Sequence, residues 1–427
     1  MSNLKKYQFS KLYAMSSGIS SKPEQAGHGA PFASFSTIFN NYFLPESLPD
    51  KMDTSVKEQV TYSIKEGDIF LTRTSETIDE LGMSCVAVKD YPKATFSGFV
   101  KRLRPLQTDV TYAKYMGFYL RSKFFRKTMT NNAIMTLRAS LNEDIFSYLN
   151  LYLPDFETQK KSGDLLFLLN SKIEINNRII NKLQSIANLL YDYWFVQFDF
   201  PDKNGKPYKS SGNEMLWNAE LKREVPKGWV SYDLSKIIKR IATGLNPRKN
   251  FILGSGSNYY VTIKNIDYGK IYLDDKCDKI SDEALQIINR RSDLQEGDIL
   301  FTSIEPVGIT YLVQEKPKNW NINESVFTLR PNYDLVTSSY AYLMLSSKEL
   351  KAFTKNVSAG SIHKGVRISV LNTFKVPYGN KEIIDKFSSI VSPMLKEMFS
   401  RDKENQKLAE LRDWLLPMLM NGQAKVF

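Results

Sequence analysis

Glu66-Gly67-Asp68-Ile69-Phe70 recurs as Glu296-Gly297-Asp298-Ile299-Leu300, and much of what surrounds these five residues recurs with them. Each copy leads into a strand-like run and a helical Tyr-Ala segment, Tyr112-Ala113 and then Tyr340-Ala341. A strand closing on Pro154 or Pro377 comes next, and a long stretch with heptad spacing follows each proline. The offset is 230 residues at the glycine motif and 223 at the prolines. Short repeats of roughly 20–50 residues build solenoids, whereas a period of half the chain means two copies of a whole domain with its helix. Two similar modules in one chain suit a partner that offers two similar sites.

Around the motif, β-branched and aromatic runs predict strands at 33–38, 69–72, 84–88, 98–103 and 149–153, with a helix over 112–129. The second copy predicts strands at 259–263, 299–302, 308–313, 325–329 and 373–376, with a helix over 338–354. Each copy is therefore an α+β domain. The segment from Phe200 to Gly212 is rich in Pro, Gly, Asn and Ser and reads as a surface connector. The resulting division is 1–155 for the first domain, 156–200 for its helix, 201–227 for the connector, 228–377 for the second domain and 378–427 for the second helix.

The helices carry their own signature. Leu166, Leu169, Ile173, Asn176, Ile180, Leu183, Ala187, Leu190 and Trp194 follow one another at steps of three and four, the spacing of a coiled-coil seam. Asn176 is its one polar position, a device that sets register at some cost in stability. The second copy is looser: Val391, Met394, Met398, Arg401, Asn405, Leu408, Arg412, Leu415 and Leu419. The two helices are expected to pair with each other, antiparallel and with pseudo-twofold symmetry. About 30 helical residues would span roughly 45 Å, the length of roughly 13 base pairs of duplex DNA.

The chain has 427 residues and a net charge of +12, with a pI near 9.2, a balance that favours a polyanionic partner. Between Lys101 and Arg138 nine Lys/Arg residues, among them Arg121, Lys123, Arg126 and Lys127, face one acid, Asp109, with Tyr and Phe interleaved. Two readings fit this stretch: a solvated basic helix face, or a face laid along phosphates. Gly360-Ser361-Ile362-His363-Lys364-Gly365-Val366-Arg367 is a second basic segment, and its glycines allow close backbone approach to phosphate. An ordinary surface histidine is the plainer reading of His363.

Catalytic chemistry is hard to find. Two histidines and two cysteines leave too few ligands for a zinc site. There is no phosphate-binding G-x-x-x-x-G-K-[ST] loop, and Gly254-Ser255-Gly256-Ser257 lacks the third glycine of a dinucleotide turn. An aminomethyltransferase would carry Asn/Asp-Pro-Pro-aromatic, and Asn246-Pro247-Arg248 fails that pattern. Pro154-Asp155-Phe156-Glu157 has the wrong spacing for a nuclease carboxylate cluster and reads as a strand end before a helix. No run approaches roughly 18 apolar residues. The first residues are too polar for a secretory leader, and Cys85 and Cys277 occupy unrelated repeat positions, so a cytoplasmic location is expected.

Four segments together carry a resemblance: Tyr191-Asp192-Tyr193-Trp194-Phe195-Val196-Gln197-Phe198-Asp199-Phe200-Pro201, Asn204-Gly205-Lys206-Pro207-Tyr208, Pro226-Lys227-Gly228-Trp229, and Leu411-Arg412-Asp413-Trp414-Leu415-Leu416-Pro417. With them the chain closely resembles the specificity (S) subunit of type I restriction–modification systems over essentially its whole length. The resemblance implies two target recognition domains, each reading half of a bipartite double-stranded DNA site, and two helices that set the spacer and dock two modification (M) subunits. It places S-adenosylmethionine on those subunits, and ATP and Mg on restriction (R) subunits, leaving this chain without cofactor or catalysis. The first domain departs in lacking the Pro-x-Gly-Trp lead-in and begins at Tyr7-Gln8-Phe9-Ser10-Lys11-Leu12. By repeat position, the expected DNA contacts are Ser36 and Thr37 with Thr262 and Lys264, then Arg73 with Ser303, then Arg138 with His363, Lys364 and Arg367. A stand-alone architectural DNA binder of the same fold is the rival, and a fused restriction enzyme would need catalytic motifs outside this chain.

Overall fold

The computed structural model describes residues 4–20, 22–75, 80–132, 134–135, 139–140, 148–267, 269–358, 365–424 and 426. The chain divides into two compact units, Met1–Ile175 with Glu404–Phe427, and Asn176–Lys403. Each therefore combines one domain with part of both long helices.

In the first unit the repeated motif supplies the strand Ile69–Thr72, inside a four-stranded antiparallel sheet ordered Tyr13–Ser17, Val100–Pro105, Ile69–Thr72, Ser84–Val86. All four residues of Ile69–Thr72 are buried, because both faces of the sheet are covered. Ile69 and Leu71 join a cluster with the helical residues Tyr115, Met116 and Leu166, while Phe70 packs on the other side with Ala33, Phe96 and Val100. That other side holds a smaller sheet ordered Asp50–Met52, Ala26–Ala33, Thr95–Phe96, its last pair parallel. The chain ends of the domain meet in one antiparallel pair, Lys5–Gln8 with Asn150–Leu153. This settles the first strand: it precedes the short helix Phe9–Leu12.

The second unit repeats both sheets in the same strand order. Its main sheet is ordered Ile238–Thr243, Val326–Pro331, Ile299–Thr302, Thr310–Leu312, and its smaller one Asp278–Ile280, Asn258–Val261, Trp320–Ile322, again with a parallel pair. Val230–Asp233 pairs with Lys375–Tyr378 as the closing ends. Ahead of the motif strand it carries an eleven-residue helix, Asp282–Ser292, where the first domain has only Val56–Thr61.

The glycine motif recurs because it solves the same problem twice. Gly67 and Gly297 adopt φ of 84° and 87°, a region that penalises any side chain. The next residue, Asp68 or Asp298, is wholly buried and meets an arginine from the neighbouring strand. Arg104 reaches Asp68 through Nε at 2.7 Å and Nη2 at 2.6 Å; Arg330 reaches Asp298 at 2.8 and 2.9 Å. The backbone N–H of Lys65 or Gln295 also donates to the carboxylate. These hydrogen bonds are the largest influence holding both guanidinium pKa values above the usual range.

Several expected elements change shape. Residues 33–38 are not a strand: Ala26–Ala33 ends there, and Ser34 caps the helix Phe35–Asn40 through the Thr37 N–H at 3.2 Å. The helix over 112–129 is two, Ala113–Tyr119 and Lys123–Asn132, and that over 338–354 is also two, Ser338–Leu345 and Lys348–Ser358. Both break at a serine, Ser122 or Ser347, whose hydroxyl accepts the N–H three residues on. Tyr112 only precedes its helix, so the buried Tyr115 is the positional counterpart of Tyr340, each the third residue of its helix.

The long helices, Phe156–Tyr191 and Lys381–Met420, have 36 and 40 residues, about 54 and 60 Å. They exceed the heptad stretch because each starts directly after its domain's closing strand. Within both units they run antiparallel. In the second unit Asn176 accepts from Arg401 at 2.9 Å, while near the other end of the pairing Trp194 packs on Phe387 at 5.6 Å. In the first, Arg412 donates to Asn170 at 3.3 Å and Lys172 pairs with Glu404. The seam residues Asn176 and Ile180 are buried, and Leu169, Ile173, Leu183, Leu190, Met394, Met398, Leu408 and Leu415 are half-buried. Asn176 thus has a partner at a polar seam position of the other helix.

Between the helix and the second domain the connector is tightly folded. The Phe200 ring lies between Tyr208 and Trp229 at 4.9 and 5.3 Å, and Met215–Asn218 pairs with Arg223–Pro226 as a hairpin. Both cysteines are free and buried, and burial pushes the Cys277 thiol up to about 11 and the Cys85 thiol up as well. Neither should react with a thiol reagent at about pH 8 until the chain unfolds, since the thiolate is the reactive form. Rapid labelling of the native protein would contradict this. No helix among the described residues is long and apolar enough to cross a membrane.

Candidate nucleic-acid interface

The basic stretch between Lys101 and Arg138 does mostly internal work. Arg102 donates to the Ser63 carbonyl at 2.7 Å, Arg104 holds Asp68, and Lys114 pairs with Asp164 at 2.7 Å. Arg121, expected on a DNA face, donates to the carbonyls of Ser84, Ile38, Phe39 and Asn41 and lies over the Tyr42 ring at 5.0 Å. Burial lowers its pKa, and the carbonyl cage satisfies the cation; its role is structural. Lys123 and Lys127 remain exposed on one face of their helix, and Arg126 is half-buried. Arg138 lies outside the described residues.

The end of the main sheet is where several other expected residues converge. After Thr72 the chain passes through Arg73, which is exposed, into Thr74–Ser75, paired with Ala139–Ser140 directly after Arg138. The Arg73 N–H donates to the Phe99 carbonyl at 2.9 Å, and Ser97 donates to the Ala33 carbonyl at 3.1 Å just before Ser34-Phe35-Ser36. Ser36 is exposed, whereas Thr37 is buried and donates to Asp50, which makes it a structural residue.

The second domain is wired alike. Ser303 N–H donates to the Ser325 carbonyl at 2.9 Å, Asn323 N–H to the Val261 carbonyl at 2.9 Å beside Thr262, and Val366 N–H to the Ser303 carbonyl at 2.8 Å. Ser303 itself is buried, its hydroxyl also bound to the Ser325 carbonyl, and Thr262 closes a turn onto Asn265. Lys264 and Arg367 are exposed; His363 and Lys364 lie outside the described residues. In both domains the strand that follows the glycine motif thus ends against the segment preceding the closing strand. Sequence reading missed Arg104 and Arg330, although a second repeated tripeptide, Leu103-Arg104-Pro105 and Leu329-Arg330-Pro331, marks them. No group of His, Cys, Asp and Glu suited to a metal occurs among the described residues.

A duplicated α+β domain, each copy closed onto a long helix that pairs antiparallel with its counterpart, is the architecture of a specificity subunit. Residues 15–185 and 226–410 match the type I restriction modification DNA specificity domain, and the chain belongs to that family. It is 25% identical over 330 residues to the type I restriction enzyme HindI specificity subunit of Haemophilus influenzae, covering 66% of this chain and 70% of that one. It is 23% identical over 384 residues to the MjaIX specificity subunit of Methanocaldococcus jannaschii, covering 88% and 81%. The fold is similar to that of the crystal structure of a type I restriction–modification S subunit from M. genitalium, with a TM-score of 0.63, 15% identity and coverage of 98% and 96%.

Proposed function

We propose that this chain reads DNA sequence for a type I restriction–modification complex and performs no chemistry itself. Each domain reads one half of a bipartite site, and the paired helices set the spacer and dock two modification subunits. S-adenosylmethionine is then held by those subunits, ATP and Mg by restriction subunits, and the complex works in the cytoplasm. The observation that carries this reading is the duplicated sheet end, where the same backbone connections recur around Arg73 in one domain and Ser303 in the other, within a chain of this family. A module that reads bases needs side chains held on a rigid rim, with cations nearby for phosphates.

Mapping methyladenine in a host with and without this gene tests it. The expected result is a methylated motif of two defined parts around a fixed unread spacer, lost when the gene is deleted. The purified chain, free of modification subunits, should show no S-adenosylmethionine-dependent methylation. An unchanged methylation map on deletion, or methylation by the isolated chain, would overturn the reading.

A further inference from the structure

Phe99 is 68% exposed although its neighbours Phe96 and Val100 are wholly buried. We propose that its ring is an apolar wedge that enters the base stack of the half-site read by the first domain, an inference that rests on the DNA-reading function above.

An isolated exposed Phe is ordinary; the way this one is mounted is not. It occupies a turn in which Val100 N–H donates to the Ser97 carbonyl at 3.0 Å and Gly98 N–H to the Ile19 carbonyl at 2.7 Å. The Phe99 N–H donates to the Ser97 hydroxyl at 3.3 Å, and its carbonyl accepts from Arg73. A Cβ on Gly98 would stand 2.8 Å from the Ile19 carbonyl oxygen, so the turn is seated against its neighbour as closely as the backbone permits. The ring is therefore presented from a fixed backbone. Its surroundings are cationic and hydroxylic: Arg73 is exposed, and Lys101, two residues on, donates to the Ser17 hydroxyl at 2.8 Å. A protein-docking patch would present contiguous apolar surface. An exposed ring with Arg73 and Lys101 beside it instead matches side chains that unstack a base step while their neighbours neutralise phosphate.

The second domain has the same turn without the ring. There Ser325 N–H donates to the Asn323 side chain at 3.1 Å, Val326 N–H to the Asn323 carbonyl at 3.3 Å, and the Ser325 carbonyl accepts from Ser303. Ser325 thus stands where Phe99 stands, and only one half-site is wedged.

The test uses the complex of this chain with its modification subunits and duplexes of the mapped motif, carrying 2-aminopurine at successive positions of the half read by residues 1–155. With the unaltered chain, fluorescence should rise at one position other than the adenine that the modification subunit methylates, a base such enzymes extrude themselves. Phe99→Leu, which keeps an apolar wedge, should retain the rise. Phe99→Ala and Phe99→Ser should abolish it and weaken motif binding by roughly ten-fold or more, with affinity for a random duplex and the melting temperature unchanged. Ser325→Ala should change neither reading. No rise with the unaltered chain, full affinity in Phe99→Ala, or an equal loss on random DNA would each overturn the wedge. Failure of the unaltered complex to methylate any bipartite motif would overturn the functional reading beneath it.

Discussion

Exchanging residues 1–155 for the matching segment of a relative is expected to replace one half of the methylated sequence and leave the other half and the spacer unchanged. The geometry of the chain ends makes the exchange clean. Lys5 pairs with Leu153 and Gln8 with Asn150, so the segment enters and leaves through one antiparallel pair, directly before the long helix that starts at Phe156. Its core seats on the helices through Leu166, Leu419 and Met420, and the Tyr42 ring lies within 5.0 Å of Arg121 and 5.4 Å of Arg412. A donor that retains an aromatic at the place of Tyr42 keeps that seat. Methyladenine mapping reads the outcome, and a swap that altered both halves together would show the domains reading DNA jointly and end the two-module account.

The largest single-residue effect on stability is expected at Arg330. Replacing it with alanine leaves the Asp298 carboxylate, which is wholly buried, without the two hydrogen bonds at 2.8 and 2.9 Å. It also removes the donor to the Asp293 carbonyl at 2.6 Å. Stripping one partner from a buried ion pair costs about 3–5 kcal/mol. Arg104→Ala should act likewise in the first domain, tempered by the greater exposure of that arginine, 31% against 19%. By contrast, the exposed pair Lys386–Glu382 should contribute little, because solvent screens it. Urea unfolding checks this, each domain's transition being followed separately because two units need not unfold together. A loss below about 1 kcal/mol in Arg330→Ala would show that the buried carboxylate finds another partner.

Much of this protein was legible in the chain itself. The Glu-Gly-Asp repeat, the buried run Ile69–Thr72 with its counterpart Ile299–Thr302, and the three-four spacing of the helices are local patterns, and local geometry enforces them. A glycine at positive φ, a two-residue alternation or a heptad depends only on neighbours within a few positions, so a sequence can announce it. The duplication followed directly, and with it the two domains and the paired helices.

What the tertiary structure alone decided is the fate of individual polar side chains. Residue type marks Arg102, Arg104 and Arg121 as cations that could face phosphate, yet each finds oxygen atoms inside the fold. For Arg121 those are carbonyls 37 to 83 positions away along the chain. Asn176 reads as a lone polar seam residue until Arg401, 225 positions on, meets it. Thr37 and Ser303 look like contact hydroxyls and are buried against Asp50 and Ser325, while Phe99, an ordinary strand residue by pattern, is left in solvent. A buried polar group must be paired, and whether its partner lies within reach depends on how distant strands and helices are brought together, which no stretch of neighbouring residues encodes.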